Sequence, residues 1–170
     1  MTRTVQLRRH TDARDDVLTP EGVRAALEIG GALEGQYHVV ISSGAQRATQ
    51  TAGCLLAGMG RAVPGGVIVD TGFRSAVEDR WFEAARRAKG KDLESFRAVD
   101  PDLVESEAAL LGGALRAVFR SLPEGARALA VGHSPTIEAA VLGLTGKVVP
   151  AVAKGGGVVV VEENGAYRVE

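Results

Sequence analysis

Two of the chain's three histidines, His10 and His133, each close a short apolar run and sit beside groups suited to anions. Arg9 stands directly before His10, and Ser134 directly after His133 in the run Gly132-His133-Ser134-Pro135. A third such place is Ser42-Ser43, which ends the run Tyr37-His38-Val39-Val40-Ile41, with Arg47 shortly beyond. Arginine offers a fixed fork of donors that matches phosphate oxygens and stays charged. An unprotonated imidazole is a good nucleophile toward phosphorus. A second, protonated imidazole can hold the negative charge that builds on a transferring group. The set is therefore coherent with phosphoryl chemistry. Taken singly, each member has a plainer reading. A histidine at a strand end serves as a structural hydrogen-bonding group, and Arg47 as a solvated helix residue. His38 lies inside its apolar run and reads as packing.

Such residues act together only if the elements that carry them converge. Residues 4–7 (Thr-Val-Gln-Leu), 37–41, 67–69 and 128–131 read as strands, the continuous apolar ones as strands buried on both faces of a parallel sheet. Between them the pattern is helical. Thr19-Pro20-Glu21 is a helix start, with Thr as N-cap and Pro in the first turn, and Gly35 closes that helix. Residues 45–59 and 136–144 read as further helices, and residues 11–16 as a polar loop. Leu103, Leu110, Leu111, Leu115, Val118, Phe119 and Leu122 suit one long amphipathic helix. Asn164-Gly165 is a hairpin signal, so the tail after residues 158–161 folds back as an antiparallel pair. The Gly155-Gly156-Gly157 run precedes a strand, which marks a turn or bulge and not a phosphate cradle. The alternation predicts an α/β three-layer sandwich with a mostly parallel central sheet, helices on both faces, and a helical cap insertion. In such sheets ligands bind beyond the carboxyl ends of the strands, where His10, Ser42-Ser43 and His133 fall.

Composition narrows the function. At 170 residues, 45% apolar and 24% charged, the chain suits one globular domain over residues 1–170, with residues 71–122 a mainly helical middle or cap segment. The net charge of −1 provides no overall basic field, so no nucleic-acid partner is expected. No signal-like or membrane-spanning stretch is visible, which suggests a cytoplasmic protein without membrane partners. Cys54 is the single cysteine, so an internal disulfide is excluded, and no metal cluster is apparent.

Four stretches in order carry a resemblance. Leu7-Arg8-Arg9-His10-Thr11-Asp12 resembles the L-V-R-H-G-E signature of the histidine phosphatase superfamily, the phosphoglycerate-mutase-like fold. The stretch from Leu18-Thr19-Pro20-Glu21-Gly22 to Ala26 is similar to its L-T-x-x-G-x-x-Q-A helix start. Ser42-Ser43-Gly44-Ala45-Gln46-Arg47-Ala48 with Gln50-Thr51-Ala52 resembles its S-S-P-x-x-R-A-x-Q-T-A element, and Val131-Gly132-His133-Ser134-Pro135 its second-histidine motif. The resemblance implies a metal-independent phosphatase of phosphomonoesters in which His10 forms a phosphohistidine. Arg9, Arg47 and His133 would surround the phosphoryl group, with Thr11 and Ser134 as further phosphate contacts. No cofactor is implied, the partner is a small phosphorylated substrate, and the oligomeric state is left open.

The departures matter. Thr11 stands where the family has Gly, Gly44 where it has Pro, and Arg8 where it has an apolar residue; the Arg8 stem either snorkels out of the sheet edge or adds charge near the mouth. The family's middle-segment general acid aligns with Ser75. Glu78 is the tentative replacement, with Asp79 and Asp12 as other carboxylates and a solvated helix face as the plain alternative. Trp81 and Phe82 read as core, and the basic residues of the middle segment mostly as a solvated surface. Three other functions compete: a phosphohistidine protein phosphatase of the short bacterial type, a mutase, and a catalytically weak phosphate-ligand-binding domain.

Overall fold

The computed structural model describes residues Met1–Glu170. The chain runs β1 (Thr2–Arg9), β2 (Ala13–Arg14), β3 (Val17–Leu18), α1 (Pro20–Ala32), β4 (Val39–Ser42), α2 (Gln46–Met59) and β5 (Val67–Val69). After a 3-10 turn at Thr71–Phe73 follow α3 (Glu78–Arg87), α4 (Leu93–Val99), α5 (Pro101–Ser121), β6 (Arg127–Gly132), α6 (Thr136–Thr145), β7 (Gly157–Glu163) and β8 (Ala166–Val169). The main sheet has the order β5-β4-β6-β1-β7-β8. Its first four strands are parallel, and β7 and β8 are antiparallel.

Both faces of the sheet are covered, which is why its inner strands are apolar without alternation. Val39 and Ile41 of β4 join Val5, Leu7, Ala128 and Ala130 in the larger core beneath α5 and α6. Val40, Leu129 and Val131 point the other way, into a smaller core with α2 and Leu33 beyond α1. The α1–α2 layer thus covers one face and the α5–α6 layer the other. The expected three-layer sandwich is present.

Local signals explain most boundaries. The Thr19 hydroxyl accepts from the Gly22 N–H at 3.1 Å, capping α1. The helix ends at Ala32, slightly before the expected stop, and Gly35 follows with a φ of +83°. Asp92 and Asp100 cap α4 and α5 through the N–H groups of Ser95 and Leu103. Asn164 and Gly165 both take positive φ, 55° and 81°, and the tail strand pairs within its own sheet. No helix is long and apolar enough to cross a membrane.

Three expectations need correction. The polar stretch 11–16 holds the first strand and the turn of a small hairpin, β2–β3, which closes at Val17–Leu18 and in which Asp15 takes a φ of 55°. The cap is smaller than residues 71–122, because α5 packs along α6 as a layer of the sandwich and only α3 and α4 stand beside the cleft. Leu110 points to solvent, off the buried stripe of α5 formed by Leu103, Leu111, Leu115, Val118 and Phe119.

Candidate active site

The three parallel strands β4, β6 and β1 are neighbours, so their carboxyl ends lie side by side. The ladder continues past the strand ends. The His10 N–H donates to the Gly132 carbonyl at 3.0 Å, and the Ser43 N–H to the Val131 carbonyl at 3.1 Å. These bonds bring His10, Ser43 and His133 to one place. The ring centroids of His10 and His133 are 5.3 Å apart. Both rings are buried, and both line a cleft of about 1020 Å³ with Arg9, Arg47 and Ser134.

The hydrogen bonds assign the nitrogens. His10 Nδ1 lies 2.8 Å from the Thr11 carbonyl oxygen. A carbonyl only accepts, so Nδ1 carries the proton and Nε2 keeps the lone pair. Burial lowers the His10 pKa, and Arg47, Arg9 and Lys154 lower it further, against the raising effect of the Thr11 bond. His10 is thus held as a neutral imidazole with its Nε2 lone pair free. His133 Nε2 lies 2.8 Å from Ser43 Oγ, while its Nδ1 is buried without a partner. Its pKa is pushed down to about 3, chiefly by burial and then by Arg47, His10 and Arg74. The expected protonated second imidazole is therefore neutral. A dianion bound beside the ring would oppose the Arg47 and Arg74 contributions and favour the protonated form.

Each arginine is anchored on one side only. Arg9 Nη1 donates to the Val152 carbonyl at 3.0 Å, while its Nε is buried and unpartnered. Arg47 Nη1 donates to Asp16 Oδ1 at 2.8 Å. Asp16 also accepts from the N–H groups of Gln46 and Arg47, both at 3.2 Å. It caps α2 from outside, where Ala45 has no capping side chain. Burial alone would raise the Asp16 pKa, but the Arg47 bonds outweigh it and the net shift is down.

Beneath the site lies Glu138 of α6, which is fully buried. Its Oε1 accepts from Ser134 Oγ at 2.5 Å and from the Val152 N–H at 2.8 Å, while Oε2 has no partner. Burial raises its pKa. Glu138 therefore ties the second-histidine motif to the loop that anchors Arg9. It is the only charged side chain in an otherwise apolar helix, a signal that was readable in the sequence.

Several expected contacts are not made. Thr11 does not reach the cleft: its N–H donates to Thr51 Oγ1 at 3.2 Å and its hydroxyl to the Gly22 carbonyl at 2.8 Å. Its donors are spent on packing α1 and α2 behind β1, so the expected phosphate contact is withdrawn. The Ser134 hydroxyl belongs to Glu138, which leaves only its backbone to meet an anion. Arg8 is bound to the Gly155 carbonyl at 2.7 Å and adds no charge to the mouth.

The carboxylates separate by place. Asp12 is held by Lys154 Nζ at 2.6 Å and by the Thr19 hydroxyl at 2.8 Å; these bonds, Lys154 first, lower its pKa, which unsuits it as an acid. Asp79 lies outside the cleft. Glu78 does line it, with Oε1 2.9 Å from Arg74 Nε. Asp15 lines it too and had no signal in the sequence. Ser75, at the aligned position of the family's acid, is hydrogen-bonded to the buried Glu107, which also accepts from Trp81 Nε1 at 2.9 Å. Trp81 is core, as expected, but Phe82 is 65% exposed and lines the cleft. Most basic residues of the segment are paired on the surface, as with Arg80–Asp100, Arg86–Glu83 and Arg97–Glu94. No group of three or more His, Cys, Asp or Glu side chains is arranged to hold a metal ion.

A neutral imidazole, a second imidazole and two guanidinium groups thus meet beyond the ends of parallel strands on an α/β sandwich, in a cleft suited to an anion. The chain belongs to the histidine phosphatase superfamily (branch 1), whose model matches residues 2–156. Among solved structures it is similar to a phosphoglycerate mutase from Bacillus anthracis, at 18% identity over 99% of this chain and 92% of that one, with a TM-score of 0.74. A phosphoserine phosphatase from Entamoeba histolytica gives 17% identity, 98% and 94% coverage and a TM-score of 0.75. A mycobacterial glucosyl-3-phosphoglycerate phosphatase gives 16% identity, 98% and 95% coverage and a TM-score of 0.66. At these identities the likeness is one of fold. No curated protein sequence matches the chain significantly.

Proposed function

We propose that this protein is a metal-independent phosphatase that hydrolyses phosphomonoesters through a phosphohistidine on His10. The observation that carries the reading is the Thr11 bond to His10 Nδ1, which leaves the lone pair on Nε2 within a cleft of anion-binding groups. The guanidinium groups of Arg9 and Arg47, which line the cleft, and the Ser134 backbone near the start of α6 supply charge and donors for the phosphoryl oxygens. His10 Nε2 attacks phosphorus as the ester P–O bond breaks. The leaving oxygen takes a proton from Glu78, the one carboxyl among Glu78, Asp79 and Asp12 that lines the cleft. Water then attacks phosphorus, the N–P bond breaks, Glu78 recovers a proton from that water, and inorganic phosphate departs.

Superfamily members act as phosphatases or mutases, and the second acceptor decides which. The experiment is release of inorganic phosphate from p-nitrophenyl phosphate in chelator, for the parent and His10→Ala. Turnover is expected in the parent and not in the variant. Glu78→Gln is expected to spare this good leaving group and to slow alkyl phosphates by about a hundredfold or more, the scale of general acid catalysis. Equal turnover by parent and His10→Ala would overturn the reading.

A further inference from the structure

The proposed phosphatase reading leaves open what the phosphoryl group is attached to, and this inference rests on that reading. The cleft of about 1020 Å³ far exceeds what a phosphoryl group needs and lies at the upper end of the range for sites that take sizeable organic ligands, roughly 300–1,000 Å³. Beyond the histidines and arginines its wall is largely apolar. Phe82 and Ala85 of α3 line it with Pro135, Ala151 and Ala153 from the loops flanking α6. Phe82 is 65% exposed, although Trp81 beside it is buried and edge-on to Phe96 at 5.8 Å. An exposed ring on a cleft wall, on a helix whose other aromatic is already satisfied in the core, is free to contact a ligand.

Charge points the same way. Arg9 and Arg47 serve the phosphoryl group, and Lys154 is paired with Asp12 at 2.6 Å. Glu78 is likewise paired, with Arg74 at 2.9 Å, so the remaining charged residues of the cleft, Asp15 and Lys91, balance one carboxylate against one ammonium. A leaving group that carries its own carboxylate would find no surplus of positive charge there.

We infer that the leaving group is an uncharged, mainly apolar alcohol or phenol, of the size of a phenylalkyl group or larger, seated against Phe82. Compact acids such as phosphoserine or a phosphoglycerate are the disfavoured class. Phe82 is then a specificity-determining residue.

The test uses non-hydrolysable competitors, so that leaving-group reactivity does not enter. Inhibition of p-nitrophenyl phosphate hydrolysis is measured with 3-phenylpropylphosphonate and with 3-phosphonopropionate, which share the phosphonate and differ in the tail. The phenyl compound is expected to bind at least about tenfold more tightly, a contrast in keeping with one well-placed aromatic contact. Phe82→Ala is expected to remove most of that difference and Phe82→Leu to keep part of it, with the affinity for 3-phosphonopropionate unchanged within about twofold. Equal or tighter binding of the carboxylate compound, no inhibition by either, or a preference that survives Phe82→Ala would overturn the inference. Hydrolysis of p-nitrophenyl phosphate that needs His10 reports separately on the catalytic reading. If it is absent, both proposals fall; if it is present without a tail preference, only this one does.

Discussion

His133 makes acid stability a direct readout of how its ring is buried in the site. In the unfolded chain its imidazole titrates near 6.5, whereas in the folded protein it holds out to about 3. Between those values the unfolded state binds a proton that the folded state refuses. Stability is therefore full above the unfolded pKa and is lost as pH falls toward 3. From pH 7.5 to pH 5 the unfolded imidazole moves about 1.5 pH units below its pKa while the folded one stays neutral. At about 1.36 kcal/mol per unit, the loss assigned to His133 is about 2 kcal/mol. The perturbation is His133→Gln, which keeps an amide able to meet Ser43 and removes the titration. Urea unfolding of both proteins at the two pH values is the assay. The parent is expected to lose about 2 kcal/mol more than the variant, with contributions from groups remote from the ring cancelling in the comparison. Saturating sulfate, a dianion throughout this range, is expected to reduce the parent's extra loss, because the bound charge lets folded His133 keep its proton. Parallel losses in the two proteins would refute the argument, since they would show the folded ring accepting its proton as readily as the unfolded one.

Two further outcomes follow from contacts behind the site. Glu138→Ala leaves the buried Val152 N–H without its 2.8 Å acceptor, a cost of about 1–3 kcal/mol, and loosens the loop that holds Arg9. Its kcat/KM on p-nitrophenyl phosphate is expected to fall about tenfold or more, while Glu138→Gln, which keeps an acceptor oxygen, stays close to the parent. In the α5–α6 layer, a Cβ at Gly143 would lie 1.7 Å from the Ala108 carbonyl oxygen. Gly143→Ala is therefore expected to cost about 1–3 kcal/mol in urea unfolding despite its better helix propensity. Gly53→Ala on α2, with nothing within 4 Å of the new Cβ, should instead gain about 0.5–1 kcal/mol.

The layers of the fold were legible because their signals are local and repeated. Residues 39–41 and 128–131 are apolar at every step, and the structure buries both faces of β4 and β6. Thr19-Pro20 and Asn164-Gly165 act within a few residues of themselves, and both do what their chemistry requires. The reach of α5 was legible, but its place was not. A stripe of leucines says that a helix has a buried side, not which neighbour covers it, and here the neighbour is α6, across Gly112 and Gly143. The same pairing gives Gly112 and Gly143 a packing role inside helices.

The site divides along the same line. His10, His133, Arg9 and Arg47 stand at strand ends or in the first turn after one, and sheet topology alone brings such positions together. What surrounds them depends on side chains from distant stretches meeting at hydrogen-bond distance, and no spacing records that. Asp16 orients Arg47 from 31 residues away, and the carbonyl of Val152 orients Arg9 from 143 away. Thr11 shows the reverse error. Its place in a motif suggested a phosphate contact, yet Thr51 and Gly22 had claimed both of its donors. A motif position thus specifies where the backbone runs, and the packing behind it decides which polar atoms remain free for a ligand. In the walls of this cleft Arg9 Nε and His133 Nδ1 stay buried without partners close to His10, enclosed by that same packing.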